Sequence, residues 1–156
     1  MTLPALHRDV WIAHTQILLD SYARLLGREL ITRSGDAADE AARLYAAPFA
    51  VLSHGTQADP ILNYANQTAL ELWEMKLEQL LALPSRLTAE AGIRESRERF
   101  LQESAQKGFV TGYRGVRISA TGLRFVIANT TIWNLTSASG ATLGQAATFD
   151  SWTGAG

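Results

Sequence analysis

A short apolar run, Ile61 to Tyr64, passes almost directly into Asn66 and then into Ala69, Leu70, Leu72 and Trp73, which recur at helical spacing. The switch in period predicts a strand feeding a helix, with the Asn66 side chain accepting a backbone N–H of the first turn. Such a cap contributes on the order of 1 kcal/mol. A chain built around this junction is a mixed helix-and-strand fold.

The flanking segments extend that reading in both directions. Thr2 can cap a helix that tolerates Pro4 in its first turn, and Leu6, Val10, Ala13, Ile17, Tyr22 and Leu25 keep helical spacing up to Gly27. Trp11, Leu18, Leu19 and Leu26 widen the stripe, which serves either a second subunit or a broad contact within one chain. A second helix spans Ala37 to Ala47, ahead of Pro48. Strands at Ala50 to Leu52 and Ile61 to Tyr64 flank a turn-rich stretch from His54 to Pro60. After the Asn66 helix, a short helical segment from Leu77 to Leu83 stops at Pro84. A longer helix, with Ile93, Phe100 and Leu101 as its apolar seam, ends at Gly108. Three strands follow as a meander: Val116 to Ser119, Leu123 to Leu135 and Leu143 to Phe149. Simple alternation along the middle strand puts Phe125, Ile127, Asn129, Thr131, Trp133 and Leu135 on one face.

Composition removes several classes of function. The 156 residues make one ordinary domain. Fourteen basic against fifteen acidic residues, a net charge of -1, provide no field for a polyanion, so no direct nucleic-acid partner is expected. There is no cysteine, which excludes disulfides, thiolate metal sites and Cys nucleophiles. The start, MTLPALHRDVW, has no basic leader with an apolar run behind it, and no window of about 20 apolar residues occurs, so the expectation is a cytoplasmic protein with no membrane partner.

Four stretches carry a specific resemblance: SHGTQADPILNYANQTALELWEM, LPSRLTAEA, YRGVRIS, and WNL with GQAATF. Together they resemble the MEKHLA domain, a PAS-like module found alone in bacterial proteins and at the C-terminus of plant homeodomain leucine-zipper regulators. The resemblance implies an α+β fold: a PAS-like five-stranded antiparallel sheet with helices over one face enclosing a pocket, here behind an N-terminal helical extension. It divides the chain into the extension at 1–47, the PAS-like domain at 48–152 and a tail at 153–156. It also implies a sensory or regulatory module that binds an unidentified small organic ligand and pairs as a homodimer through the N-terminal helix.

Within that frame the candidate ligand-binding residues are His54, Asn63, Tyr64, Trp73, Arg86, Tyr113, Arg117, Asn129, Thr131, Trp133 and Gln145. Asn129 and Thr131 would stand among apolar neighbours and need partners, either a ligand joined by Gln145 or one another and water. Arg86, Arg117 and Tyr113 could hold an anion or carboxylate, though salt bridges are the plainer use of each arginine. His54 could titrate or simply support its turn. A filled-core interaction module is the main alternative. A small pocket enzyme using His54 and Asp59 is the other, but no catalytic motif is present, and Ser53 and His54 point to opposite faces of a strand. No metal is expected, since His7 and His14 share a helix face without a third ligand. Any cofactor is unknown: a flavin linked through Cys is excluded, and haem is disfavoured because Ser85 to Lys107 contains no His.

Overall fold

A computed structural model describes residues 8–88 and 108–154. Helix α1 (Arg8–Leu26) and α2 (Ala37–Tyr45) are followed by strands β1 (Ala50–His54) and β2 (Leu62–Ala65). Helices α3 (Gln67–Trp73) and α4 (Leu77–Leu80) and a 3-10 turn (Ser85–Thr88) come next. The chain closes with β3 (Phe109–Ile118), β4 (Arg124–Thr136), β5 (Thr142–Phe149) and β6 (Ser151–Gly154). The longer helix expected up to Gly108, with its seam of Ile93, Phe100 and Leu101, falls largely outside the described residues, as do Thr2 and Pro4.

All strand pairs are antiparallel, in the order β2-β1-β5-β4-β3. The five expected strands are joined by a sixth, short one, β6, which pairs with β4 from Phe125↔Gly154 to Ala128↔Ser151. β3 begins well before Val116, because pairing with β4 carries Thr111 to Gly115 into the sheet despite two glycines. Two register shifts absorb the misfit, between Val110 and Tyr113 and between Tyr113 and Gly115.

Each face of the sheet has its own core. On the outer face, Trp11, Leu18, Leu19 and Tyr22 of α1 pack with Leu44 of α2 against Val51, Tyr64, Trp133 and Leu135. Trp11, Leu18 and Leu19 are at most 1% exposed. Each contributes roughly 2–3 kcal/mol by leaving water. The broad stripe of α1 is therefore used on the chain's own sheet, and Trp11 and Leu18 are not available to a second subunit. On the inner face, Ala69, Trp73 and Leu80 from α3 and α4 cover Leu62, Phe125, Ile127, Ile132 and Phe149.

Polar side chains fix the joints. Glu40, buried in α2, accepts from Gln16 (2.9 Å), Arg33 (3.1 Å) and the backbone N–H groups of Ser34 and Gly35, binding the α1–α2 connection into one unit. The Gln16 bond, then Arg33 and the two N–H groups, overcome burial and hold its carboxyl down to about 2. Asn66 caps α3 through Ala69 N (3.1 Å), and the same oxygen accepts from Val51 N (3.0 Å). Its amide donates to Leu44 O and Phe49 O, so one fully buried side chain joins α2, β1 and α3. The left-handed residue Glu74 ends α3, and its carboxylate accepts from Ser119 and Thr121, tying that end to the β3–β4 turn.

Candidate functional site: the inner cavity of the sheet

The inner face borders a cavity of about 30 Å³, room for roughly two waters. Leu52, Leu62, Trp73, Ile127, Ile132 and Phe149 form its apolar walls, and His54, Arg117, Thr130 and Gln145 bring polar groups to it. Register explains the grouping: Leu52 pairs with Ala147, His54 with Gln145, and Ile132 with Ala147 from the other side. Side chains directly opposite across strands share a face.

Arg117 is 4% exposed. Its guanidinium donates to Val116 O (2.9 Å) and to Tyr113 Oη (3.2 Å) and stands 5.4 Å from the centre of the Tyr113 ring. Gly115 lies between them on β3, where a Cβ would come within 2.8 Å of Tyr113 Oη and 3.0 Å of Arg117 Nη1. The absence of a side chain there lets Tyr113 and Arg117 meet. No carboxylate lies within ion-pairing distance of Arg117 among the described residues. Across the ladder from Tyr113 is Thr130, whose buried hydroxyl has no hydrogen-bond partner among the described residues.

The MEKHLA domain profile matches residues 12–154, nearly the whole of α1 and all of the sheet. The chain belongs to the MEKHLA domain family. No curated protein matches it. Among solved structures it is similar to the PAS domain of a protein from Colwellia psychrerythraea, at 15% identity and a TM-score of 0.62, covering 70% of this chain and 91% of that one. It is also similar to an RNA-binding Light-Oxygen-Voltage receptor, at 16% identity and a TM-score of 0.64, covering 76% of this chain but 34% of the receptor. A variant of Vivid matches at 14% identity and a TM-score of 0.53, over 64% and 79% of the two chains. At these identities the likeness is one of fold, and that fold is PAS-like.

Of the residues singled out from the sequence, the MEKHLA cavity brings together His54, Trp73, Arg117 and Gln145, with Tyr113 joined through Arg117. His54 Nδ1 lies 2.9 Å from Gly55 O, Trp73 Nε1 donates to Thr88 O (3.5 Å), and Gln145 donates to Asn134 (3.0 Å). Arg86 is elsewhere, in an exposed ion pair with Asp59 at 3.1 Å. That pairing engages the carboxylate which an enzyme built on His54 and Asp59 would have needed.

Asn129, Thr131 and Trp133 do not join Phe125 and Ile127. Asn129 has φ 51°, a left-handed residue inside β4 that shifts the alternation by one. Thr130 and Ile132 consequently take the inner face after Phe125 and Ile127, while Thr131, Trp133 and Leu135 turn outward. Asn129 and Thr131 line a separate, more open recess with Leu30, Phe49 and Asp150. Trp133 packs edge-on to Tyr22 and donates from Nε1 to Leu18 O (3.2 Å). Thr130 is the cavity-lining side chain that strict alternation overlooks. Asn itself, rare in strands and tolerant of the left-handed region, is the signal that could have revealed it.

Asn63 and Tyr64 also belong to the outer side of the MEKHLA sheet. His14 Nε2 lies 2.8 Å from Ser53 Oγ, which donates to Asn63 Oδ1 at 2.5 Å, so the neutral His14 ring carries its proton on Nε2. The ring stacks on Tyr64, which also contacts Trp11 at 5.0 Å. Burial pushes His14 down to about 4 and drives the Tyr64 phenol upward. His7, its proposed companion for a metal, lies outside the described residues. Among the described residues no three His, Asp or Glu side chains converge, and no helix is long and apolar enough to cross a membrane.

Proposed function

We propose that this MEKHLA domain is a sensory or regulatory module that takes a small molecule into the inner cavity and passes the change through the sheet to α1. One observation carries the reading: Thr130, whose buried hydroxyl has no hydrogen-bond partner among the described residues, lines the cavity from the same strand that anchors α1 from behind. Thr130 and Ile132 look inward, and Thr131 and Trp133, alternating with them, look outward. A ligand that moves the first pair must tilt the second, and Trp133 is bonded to the α1 backbone. Dimer or partner contacts on the exposed side of α1 would then transmit the signal. The fold shared with a Light-Oxygen-Voltage receptor supports a sensory role. The RNA binding named for that receptor is not carried over, since this chain has a net charge of -1.

A filled-core interaction module has one observation in its favour, a cavity of about 30 Å³. Organic ligand sites enclose roughly 300–1,000 Å³. Native mass spectrometry and an absorption spectrum of the purified protein, with thermal-shift measurements across a metabolite panel, decide between them. A retained mass or a reproducible rise in Tm is the expected outcome. Neither a retained mass nor any shift would leave the filled-core module as the correct reading.

A further inference from the structure

Arg117 narrows the chemistry of the ligand. A guanidinium taken out of water without a counter-charge is costly, and buried charges are ordinarily paired. Glu40 follows that rule, with Arg33 and three further donors around its carboxylate. Among the described residues Arg117, at 4% exposure, has two neutral acceptors, which use two of its five N–H groups. Thr130, whose buried hydroxyl has no hydrogen-bond partner among the described residues, lines the same cavity.

We propose that the inner cavity binds a small monocarboxylate, with Arg117 and Thr130 as its oxyanion donors. This rests on the ligand-binding reading above and names the ligand class. A carboxylate is planar and presents two oxygens to the guanidinium fork. Leu52, Ile127 and Ile132 offer a short alkyl tail an apolar wall. The cavity volume of about 30 Å³ limits the bound group to something near acetate or propionate in size.

The test titrates the full chain with sodium acetate and sodium propionate, and with acetamide and propionamide at matched ionic strength, reading calorimetric binding and Tm. The carboxylates bind and raise Tm, and the amides do neither. Arg117→Gln weakens binding about 10- to 100-fold, the range for a hydrogen bond to a charged group. Thr130→Val leaves the Tm of the free protein unchanged or higher, since its hydroxyl has no partner to lose, yet weakens the carboxylate about 10-fold. That opposition of stability and affinity is not produced by a purely structural threonine, and it decides the matter even if Arg117→Gln fails to fold. Equal binding of amide and carboxylate, or parental affinity in Thr130→Val, overturns the assignment. Silence toward carboxylates alongside a hit in the metabolite panel overturns it while ligand sensing survives; silence in both overturns both.

Discussion

His14 makes the docking of α1 on the sheet dependent on pH. Its ring is pressed against Tyr64 and bonded to Ser53, and burial lowers it to about 4. The unfolded chain titrates near 6.5. Because the folded value lies below the unfolded one, the unfolded state binds the proton first and stability falls as pH drops. The loss begins near pH 6.5 and is complete near pH 4. At pH 5 the unfolded chain carries nearly a full proton on this ring and the folded chain about a tenth of one, so linkage removes about 2 kcal/mol between pH 7 and pH 5. Water reaching the part-exposed ring makes that an upper bound. Urea unfolding of the parent and of His14→Gln at both pH values isolates the effect, since His54 and the carboxylates cancel in the difference. At a slope near 2 kcal/mol per molar urea, the parent midpoint falls about 1 M further than that of the variant. Parallel losses would refute the reasoning, and would mean that stacking of the charged ring on Tyr64 repays its desolvation.

Asn66→Ala should destabilise by about 3–5 kcal/mol, several times the cost of a lost cap, because Val51 N–H, Leu44 O and Phe49 O are left without their partner as well as Ala69 N–H. Denaturant titration checks it, and a loss near 1 kcal/mol would reduce Asn66 to a helix cap. Asn129→Val should cost about 1–2 kcal/mol and Asn129→Gly essentially nothing, since the exposed side chain makes little contact and only its φ of 51° is at stake. Equal stability of the two variants would show β4 to be a regular strand in solution.

Much of the fold is legible because it follows from local chemistry. The Asn66 cap, the turn at Thr121–Gly122 and the helical spacing of α1 each depend on a few neighbouring residues, and the structure has a capped α3, a β3–β4 turn and a 19-residue helix at those places. The width of the α1 stripe is legible too, but not its use. Trp11 and Leu18 look the same in sequence whether a second chain or the chain's own sheet covers them. Asn66 shows the same limit: its cap is local, whereas its bonds to Leu44 O and Phe49 O depend on how α2 packs.

The candidate site was harder to read because a pocket assembled across a sheet depends on the frame of every strand that borders it. One left-handed residue, Asn129, exchanges Thr131 for Thr130 and sends Trp133 to the opposite face. Gly144 acts similarly in β5. A Cβ there would collide with His54 O, and Leu143 packs with the outer cluster while Gln145 faces the cavity. In both strands the displaced residue is what gives the sheet two distinct working faces. Without the bulge at Asn129, Trp133 would fill the cavity and α1 would lose the indole that holds Leu18 O. The irregularity that defeats simple alternation is therefore also what keeps an interior space beside Arg117 and Thr130 while α1 remains anchored behind it.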